Sequence, residues 1–344
     1  MSRKMKAAVW MAIDQVSQMD VSVPEVPVGW ALVKVAYNGI CGTDLSILHG
    51  KHPRAKAPLV MGHEISGWVE QAAATGPPRG TLVTVEPLIS CGGCKACRTG
   101  NSHVCRRLAL FGIDTDGGMA EYVALPPEVL HPVPHGVDPR TAAIAEPLAV
   151  AVHAVDRSGM KRGDIVAIYG AGTIGVLTAL VARHEGASEV VITEPSRWRR
   201  EVVARLGFTV VPDGSSVART LAPLTGAEGA DTTFDCAGHP SVAAELAATT
   251  RVHGRIVIVG VYKEPAALDL QAICFKEQSL VGVRVYTSSD VTRAIELIAS
   301  DALNMSPFPT KAFDLADTGA AFAAARGQDC LKVLVTPLHG RADA

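Results

Sequence analysis

Four cysteines with the spacing of metal ligands are the most distinctive feature of this sequence. They lie in a stretch rich in Gly, Lys and Arg, separated by two gaps of two residues and one of seven: Cys91, Cys94, Cys97 and Cys105. Zn²⁺ favours tetrahedral sulfur ligation, and closed all-thiolate sites of this kind are structural. Paired disulfides fit poorly because cysteines three apart are awkward to bridge, whereas an iron–sulfur cluster remains compatible with the spacing. We expect a structural zinc lobe.

A second set of possible metal ligands brackets this four-cysteine loop. Cys41 opens a Cys-Gly-Thr-Asp run, His63 and Glu64 follow it, and Glu146 comes after the loop. A thiolate, an imidazole and one or two carboxylates can form a catalytic zinc site, in which one position stays open for water or substrate. Singly these residues are weak indications, since a lone cysteine is more often a small buried hydrophobe. Their order around the loop predicts a catalytic zinc ion.

A glycine-rich turn is the third chemical motif. The apolar run Ile165–Tyr169 leads into Gly170-Ala171-Gly172-Thr173-Ile174-Gly175 and then into an apolar helical stretch. A G-x-G-x-x-G turn between a strand and a helix binds the pyrophosphate of a dinucleotide at the helix N-terminus. The uncharged stretch Ile165–Ala182 is long enough to suggest a membrane span. Burial of both elements in a parallel sheet explains its hydrophobicity instead.

An acidic residue follows the next apolar run, Val190–Thr193. Glu194 stands at the spacing where a carboxylate accepts hydrogen bonds from the adenosine ribose and repels a 2′-phosphate, so we expect NAD as the cofactor. Arg197, Arg199 and Arg200 could receive the phosphate of NADP, or they could form the solvated first turns of a helix. We include Arg199 among the expected cofactor contacts.

The middle of the chain continues to alternate between strand and helix patterns, which predicts a doubly wound parallel sheet. The patterns indicate strands over Asp231–Asp235, Arg255–Val259 and Ser279–Val283, with a helix over Ala243–Thr249. Glycines lie where the strands would end. Gly238 and the run Val259, Gly260 and Val261 are therefore expected to face the cofactor crevice.

Composition narrows the class of protein. A chain of 344 residues with 48% hydrophobic content favours two domains with substantial cores. The net charge of -2 gives no indication of the strongly basic surface that nucleic-acid binding requires, so we expect no nucleic-acid partner. No signal peptide is evident, so we expect a cytoplasmic protein with no membrane partner. The eight cysteines suit a reducing compartment, and Cys236, Cys274 and Cys330 are expected to be buried and inert.

Together these motifs resemble the zinc-dependent medium-chain alcohol dehydrogenases over nearly the whole chain, and in particular their polyol branch of sorbitol- and butanediol-type enzymes. The residues that carry the resemblance are Cys41-Gly42-Thr43-Asp44, Gly62-His63-Glu64, the four-cysteine loop, Glu146-Pro147-Leu148 and Gly282-Val283-Arg284-Val285-Tyr286. The resemblance implies a GroES-like, β-rich catalytic domain over 1–146, completed by 286–344, and a Rossmann NAD-binding domain over 147–285. It also implies a homo-oligomer, a dimer or tetramer joined through the edge of the Rossmann sheet.

The resemblance further implies roles at the metal. Glu64 or Glu146 would complete the catalytic zinc site with Cys41 and His63, and either carboxylate could be the inner ligand. Thr43 would take the alcohol proton by hydrogen bonding and pass it onward. Asp44 would orient the zinc-bound imidazole through its second nitrogen, as zinc-bound histidines usually require.

The predicted roles of some further residues are implied by the family resemblance alone. Arg284 and Tyr286 would lie near the nicotinamide or a substrate hydroxyl, although they could equally be ordinary residues at a strand end. Many relatives have a proton-relaying histidine two positions after the Asp of the Cys-Gly-Thr-Asp run, where this chain has Ser46. His49 or His52 could substitute for it, or both could be surface loop residues.

The predicted reaction is the zinc- and NAD-dependent oxidation of a secondary alcohol to the ketone. The expected substrate is a small polyol, vicinal diol or cyclitol-like molecule. Threonine or an aminocyclitol is an alternative substrate. A zinc-free, NADPH-dependent reductase or a non-catalytic protein of the same fold is also conceivable, but Cys41, His63 and Glu64 oppose both.

Overall fold

The structure is a computed structural model that describes residues 3–212, 214–305, 308–327 and 329–338. The described chain divides into two compact units. Unit 1 contains residues 3–146, 287–301 and the described residues from 308 to 338. Unit 2 contains the described residues of 147–286 together with 302–305.

The first part of the chain consists mainly of short strands. Its elements are β1 (Lys4–Ala12), β2 (Gln15–Ser22), β3 (Ala31–Ile40), α1 (Gly42–Leu48), β4 (Leu59–Val60), β5 (Glu64–Gln71), β6 (Leu82–Val85), β7 (Leu88–Ile89), α2 (Lys95–Arg98), β8 (Ala109–Leu110), β9 (Tyr122–Leu125), β10 (Leu130–Pro132) and α3 (Pro139–Ala142).

The rest of the chain alternates between helices and strands. Its elements are α4 (Ala145–Ser158), β11 (Ile165–Tyr169), α5 (Thr173–His184), β12 (Glu189–Thr193), α6 (Arg197–Arg205), β13 (Thr209–Val210), α7 (Val217–Thr225), β14 (Ala230–Asp235), α8 (Pro240–Thr249), β15 (Thr250–Ile258), α9 (Leu270–Phe275), β16 (Ser279–Gly282), α10 (Ser288–Ala299), β17 (Thr310–Asp314), α11 (Thr318–Arg326) and β18 (Lys332–Thr336).

The principal sheet of unit 1 follows the strand order β10-β6-β5-β3-β18-β17, and β9 also pairs with β3. Strands β17 and β18 are parallel, whereas β18 is antiparallel to β3 and β3 is antiparallel to β5. One face of the sheet forms an apolar core that includes Val33, Val35, Ile65 and Val83, all 0% exposed. Burying each such side chain contributes about 1.5–3 kcal/mol to the stability of the unit.

The register of this sheet brings distant parts of the sequence to one end of β3. Gly39 pairs with Glu64 at the start of β5, and Ile40 pairs with Val333 next to the start of β18. Cys41 follows β3 directly and is the N-cap residue of α1. As a result Cys41, Glu64 and the first residue of β18, Lys332, lie side by side although their sequence positions are far apart.

Unit 2 contains a six-stranded parallel sheet in the order β13-β12-β11-β14-β15-β16. Helices connect its successive strands, and the strand order reverses between β11 and β14. In open α/β sheets, ligands bind beyond the carboxyl ends of the strands at such a switch point. The interior of β11 and most of α5 are fully buried, which explains the absence of charge in this part of the sequence.

The predicted fold class is confirmed, with a mixed β-rich unit and a doubly wound parallel sheet. The strand predicted over Arg255–Val259 begins earlier, at Thr250. Its first five residues include Thr250, Arg251 and His253 and lack the continuous apolar run on which the prediction depended. Among the described residues, no helix combines the length and apolar character needed to cross a bilayer. The prediction that Cys274 is buried is wrong, since this residue is exposed, whereas Cys330 is buried and Cys236 is partly buried.

Candidate metal and cofactor sites

Three of the predicted catalytic ligands converge at one end of β3. Cys41, His63 and Glu64 each offer a ligand atom, and these atoms all lie within 4.8 Å of one another. His63 and Glu64 are almost fully buried, at 4% and 1% exposure. A thiolate, an imidazole and a carboxylate at this separation suit a zinc ion that keeps a position open for another ligand.

Asp44 lies beside the imidazole of His63, the position that the family resemblance implies for it. Its Oδ2 accepts a hydrogen bond from the backbone N–H of Cys41 at 2.8 Å, and its Oδ1 lies 3.7 Å from Nδ1 of His63. Both Oδ1 and Nδ1 are buried without a hydrogen-bond partner among the described residues. Burial opposes protonation of His63, but Asp44 and the side chain of Cys41 hold its pKa well above the ordinary value. A buried ring whose Nδ1 faces a carboxylate has the arrangement of a metal-bound histidine.

A buried lysine that sequence reasoning missed contacts the carboxylate ligand. Nζ of Lys332 lies 2.7 Å from both Oε1 and Oε2 of Glu64 and also donates to the backbone oxygen of Ile40 at 3.1 Å. Burial alone would lower the pKa of Lys332, but the charge of Glu64 raises it above the ordinary value. The one available signal was a charged residue within the apolar run Leu331–Val335 of a buried strand.

Glu146 is the second residue of α4 and is buried, at 6% exposure. It lies outside the three-residue ligand cluster formed by the described residues. Its charge nevertheless acts on both His63 and Lys332, raising the pKa of each after the larger effects of burial and nearer groups. The structure therefore brings Glu64, rather than Glu146, into the ligand cluster.

Thr43 and Ser46 lie in the helix that follows Cys41. Oγ1 of Thr43 is 3.8 Å from Sγ of Cys41, so its hydroxyl lies beside a ligand atom of the cluster. Ser46 donates its hydroxyl hydrogen to the backbone oxygen of Gly42 at 3.2 Å. Only Thr43 of these two hydroxyls is oriented toward the cluster.

Close backbone packing fixes the loop that carries His63. A Cβ atom at Gly112 or Gly117 would overlap the backbone oxygen of Gly62, which has φ of +99°. The amide side chain of Asn38, fully buried, lies against the Cα of the same Gly62 and donates to the backbone oxygen of Gly39 at 2.8 Å. Asn38 is a second supporting residue that the sequence did not indicate.

The four clustered cysteines also converge. All four sulfur atoms lie within 4.8 Å of one another, with 3.5 Å between those of Cys94 and Cys97 and 3.9 Å between those of Cys94 and Cys105. The backbone N–H groups of Cys91 and Arg107 each donate to Sγ of Cys105 at 3.3 Å. The hydrogen bond with Cys105 and backbone donors lower the pKa of Cys91 to about 6. Burial and the neighbouring thiols of Cys94 and Cys105 raise the pKa of Cys97 to about 11.

The charge around this lobe, in contrast, favours thiolates. The sequence from Pro87 to Ile113 contains no acidic residue, and it contains the cations Lys95, Arg98, Arg106 and Arg107, all exposed. None of the cysteines forms a disulfide. Four convergent sulfurs in a cationic lobe fit a tetrahedral zinc ion in a closed site.

The glycine-rich turn has the geometry expected of a dinucleotide site. Gly170, at φ of +98°, donates its N–H to the backbone oxygen of Thr193 at 2.8 Å. Gly172 is the N-cap residue of α5, which Thr173 and Ile174 begin. A Cβ atom at Gly175 would overlap the backbone oxygen of Gly170, so only glycine permits this close packing of the turn on the helix. The exposed N–H groups of α5 can then receive a pyrophosphate.

Glu194 follows β12 and folds back over this turn. Its Oε2 accepts from the N–H of Ala171 at 2.7 Å, and its Oε1 accepts from the N–H of Ser196 at 2.9 Å. Nη1 of Arg199 lies 4.0 Å from Oε2 of Glu194, and the buried Nε of Arg199 makes no hydrogen bond within the described part of the chain. A carboxylate and a guanidinium thus lie together beside Gly172.

The other two arginines have different surroundings. Arg197 is 88% exposed and pairs with Glu201 along α6 at 2.9 Å. Nη1 of Arg200 donates to the backbone oxygens of Glu194 and Pro195 at 2.9 and 2.8 Å. The interpretation as solvated helix residues therefore holds for Arg197 but not for Arg199.

A buried aspartate organises the loop that contains Gly260. Oδ1 of Asp235 accepts from the N–H groups of Ala237 and Gly238, each at 2.9 Å, and its Oδ2 accepts from the hydroxyl of Tyr262 at 2.6 Å. A Cβ atom at Gly260 would overlap the backbone nitrogen of Gly238, so the loops after β14 and β15 pack backbone against backbone.

The remaining predicted cofactor residues lie beyond the carboxyl ends of β15 and β16. Val259 donates its N–H to the backbone oxygen of Asp235 at 2.9 Å, whereas the side chain of Val261 is 86% exposed. Arg284 follows β16 and is exposed, and Tyr286 is fully buried.

Two family models match the chain. The alcohol dehydrogenase GroES-like domain matches residues 27–135, which include Cys41, His63, Glu64 and the four clustered cysteines. The zinc-binding dehydrogenase model matches residues 173–300, which include Glu194 and Gly260.

Curated relatives extend the similarity over most of the chain. A 2-dehydro-3-deoxy-L-galactonate 5-dehydrogenase of Pseudoalteromonas atlantica is 40% identical over 299 residues, which cover 86% of this chain and 87% of the relative. An L-threonine 3-dehydrogenase of Bacillus subtilis is 34% identical over 327 residues, which cover 92% of this chain and 94% of the relative.

Solved structures share the whole fold. A protein of Sinorhizobium meliloti 1021, described as a zinc-binding dehydrogenase bound to NADP, superposes with a TM-score of 0.92 at 33% identity, covering 98% of this chain and 100% of its own. The 2R,3R-butanediol dehydrogenase of Bacillus subtilis superposes with a TM-score of 0.90 at 28% identity, covering 97% of this chain and 99% of its own.

Proposed function

This chain belongs to the zinc-binding alcohol dehydrogenase family and is an oxidoreductase, and we propose that it oxidises a secondary alcohol of a small polyhydroxylated substrate to the ketone. The observation that carries the proposal is the convergence of Cys41, His63 and Glu64 within 4.8 Å, with Asp44 behind the imidazole. These residues offer the donor set of a catalytic zinc site rather than a closed structural one.

The residues of the chain then have distinct tasks. Bound zinc would supply Lewis acidity that favours loss of the alcohol proton, and a bound nicotinamide dinucleotide would accept the hydride. Thr43, whose hydroxyl lies 3.8 Å from Sγ of Cys41, would accept a hydrogen bond from the alcohol and, as it takes that proton, pass its own hydroxyl proton onward to the cofactor ribose or to water. Asp44 would keep the imidazole of His63 oriented, and Lys332 would balance the charge of Glu64.

Glu64 is the better candidate for the inner carboxylate because it belongs to the ligand cluster, whereas Glu146 lies outside that cluster and its charge raises the pKa of His63. Each oxygen of Glu64 accepts one hydrogen bond from Lys332 and keeps a second lone pair, which could bind the zinc ion. Glu146 would serve as a second buried negative charge beside the site. The four cysteines Cys91, Cys94, Cys97 and Cys105 would hold a structural zinc ion.

The substrate is proposed as a sugar acid or polyol with a secondary hydroxyl. The 40% identical relative acts, by its name, on a deoxy sugar acid at carbon 5, and a structural neighbour is named for a vicinal diol. L-threonine, also a secondary alcohol with a carboxylate, is the second candidate because a relative at 34% identity is named for it.

NAD is the proposed cofactor. The carboxylate of Glu194 lies beside the glycine turn and would accept hydrogen bonds from the adenosine ribose. Arg199 lies close enough to that carboxylate to offer a cation for NADP, the cofactor bound by one neighbour. A homo-oligomer is proposed because β16 is an edge strand of unit 2 that carries the exposed Leu280 (45% exposure), and Phe275, at the end of α9, is also exposed (79%).

The proposal is tested with purified, zinc-replete protein assayed against sugar acids, polyols, vicinal diols and L-threonine with NAD and NADP separately. We expect reduction of NAD in the presence of a polyhydroxylated secondary alcohol, with two zinc ions per chain by elemental analysis. Reduction of NAD with threonine alone would favour the second candidate. Turnover that survives removal of all divalent ions would contradict the proposed reaction.

A further inference from the structure

The amide side chain of Asn38, near the end of β3, packs flat against the loop that carries His63. Asn38 is 0% exposed. A Cβ atom at Gly62 would overlap Nδ2, Oδ1 and Cγ of Asn38 at nearly equal distances, and one at Gly118 would lie 2.7 Å from Oδ1. A point equally distant from these three atoms lies above the plane of the amide, so its planar face covers Gly62 and its oxygen is directed toward Gly118.

Backbone hydrogen bonds fix the other contacts of this loop. Gly118 donates its N–H to the backbone oxygen of Gly62 at 2.9 Å, and Met119 donates to that of Met61 at 3.0 Å. Gly62 has φ of +99°, a conformation that favours glycine. The loop is thus held by these bonds and by the amide of Asn38, and together they set the direction in which the next residue, His63, leaves it.

The same amide also fixes the backbone beside Glu64. Nδ2 of Asn38 donates to the backbone oxygen of Gly39 at 2.8 Å. Gly39 pairs with Glu64 across the sheet, and Oε2 of Glu64 occupies the space that a Cβ atom at Gly39 would need. Asn38 therefore contacts the residue that precedes one proposed ligand and the residue that pairs with another.

The stability of the sheet does not account for an amide at this position. Oδ1 of Asn38 is buried without a hydrogen-bond partner among the described residues. An unpaired buried acceptor lowers stability, and an apolar side chain of similar volume would avoid that loss. Leucine has such a volume, but its two methyl groups branch tetrahedrally and could not lie as close to Gly62 as a planar amide does. The amide is explained by the geometry that it imposes on the backbone.

We propose that Asn38 is a positioning residue of the proposed catalytic metal site, which acts through Gly62 on His63 and through Gly39 on Glu64. The inference rests on the proposed function and deepens it. In this role Asn38 would contact neither the ion nor the substrate. Residues that orient metal ligands typically contribute a factor of about 10 to 100 to metal affinity. Asn38 should therefore govern the affinity of this site and leave that of the four-cysteine site unaltered.

The test measures zinc affinity by competition with a chelator, starting from protein with two zinc ions per chain. We expect Asn38→Ala to weaken the binding of one ion by about 10- to 100-fold. Asn38→Leu should weaken it at least as much, because it loses the planar face and the donor. Val33→Ala is the matched control, since Val33 is also 0% exposed on β3 and belongs to the apolar core. It should lower Tm and leave both zinc affinities unchanged.

Cobalt(II) in place of zinc gives a second readout that needs no substrate. Its d–d absorption bands report the ligand geometry, and they should shift in Asn38→Ala but not in Val33→Ala. The thiolate-to-cobalt absorption is stronger for four thiolates than for one, so it identifies the site that has lost its ion.

Several outcomes would overturn the assignment. Unchanged zinc affinity or an unchanged cobalt spectrum in Asn38→Ala would end it, and an equal loss of zinc in Val33→Ala would make Asn38 an ordinary core residue. Wild-type affinity in Asn38→Leu would show that the filled volume matters and the amide does not. Wild-type protein that binds only the four-cysteine ion would overturn the proposed function together with the role of Asn38. Inactivity on every substrate with both ions bound would count against the proposed reaction alone.

Discussion

Nζ of Lys332 lies 2.7 Å from both carboxylate oxygens of Glu64, a residue 268 positions earlier in the chain. Both side chains are almost completely buried, at 3% and 1% exposure. The removal of one partner from such a pair leaves an uncompensated buried charge, which costs far more than the intact pair contributes. The position of the proposed carboxylate ligand therefore depends on β18.

Replacement Lys332→Met should lower the free energy of unfolding by about 3–5 kcal/mol. The double variant Lys332→Met/Glu64→Gln should recover much of that loss because no buried charge remains. Urea unfolding measures the free energy of unfolding of the single and the double variant. The control is Lys311→Met, which alters an exposed lysine paired with Asp329 and should change stability little. Equal losses in the single and double variants would contradict this account of the pair.

Replacement Gly39→Ala should disturb Glu64 directly. The added Cβ atom would overlap Oε2 of Glu64, which cannot move aside without leaving Lys332. We expect a loss of the catalytic zinc ion and of turnover, measured by elemental analysis and steady-state assay. Gly319→Ala, where a Cβ atom meets nothing within 4 Å, is the matched control. A fully active Gly39→Ala enzyme with two zinc ions would show that Glu64 is free to move.

Replacement of Cys41 or His63 by alanine should abolish turnover and reduce the zinc content from two ions per chain to one. The four-cysteine lobe is separate in sequence and should retain its ion, so the fold should persist. Elemental analysis measures the zinc content, and circular dichroism shows whether the fold persists. Unimpaired turnover in purified Cys41→Ala would remove this residue from the catalytic site.

Replacement Cys94→Ser should act on stability more than on the chemical step. Sγ of Cys94 lies within 3.9 Å of two other sulfurs, and a closed zinc site contributes its binding energy to folding. We expect Tm to fall by roughly 5 °C or more, since each kcal/mol shifts Tm by about 2–4 °C in a domain of this size. An unchanged Tm together with a reduced single-turnover rate would contradict a structural role for the four cysteines.

Replacement Glu194→Ala should reduce the preference for NAD over NADP by roughly tenfold, because hydrogen bonds to a charged group contribute about 1.5–3 kcal/mol each. Glu194→Gln keeps an acceptor and removes the charge, so its preference should be intermediate. The ratio of kcat/KM for the two cofactors measures the effect, with Arg197→Gln, on the exposed face of α6, as a control. An unaltered ratio in Glu194→Ala would place cofactor selection elsewhere.

Local motifs accounted for most of what the sequence could predict. The four-cysteine loop, the glycine turn and the apolar strands each lie within a short stretch, so their residue types reveal their geometry without knowledge of the fold. The confirmed fold class depends on that local periodicity. The catalytic roles of Cys41, Thr43 and His63 stay predictions, although the structure brings Cys41 and His63 together with Glu64.

Contacts between distant segments could not be predicted in this way. Lys332 reaches Glu64 through the pairing of β18 with β3, and Asn38 contacts Gly62 through the pairing of β3 with β5. Such contacts depend on strand register, because a shift of one residue would turn the side chains of a strand to the opposite face of the sheet. The two histidines His49 and His52 look equivalent in the sequence, and only their hydrogen-bond partners separate them.

The placement of β18 between β3 and β17 has a consequence for biosynthesis. A ribosome that has not yet released Lys332 exposes a nascent chain in which the end of β3, residues 38–40, lacks its β18 partner and Glu64 lacks the charge of Lys332. The proposed metal pocket can therefore be completed only after β18 has left the ribosome, 268 residues after Glu64, and metal loading at this site should follow the synthesis of β18.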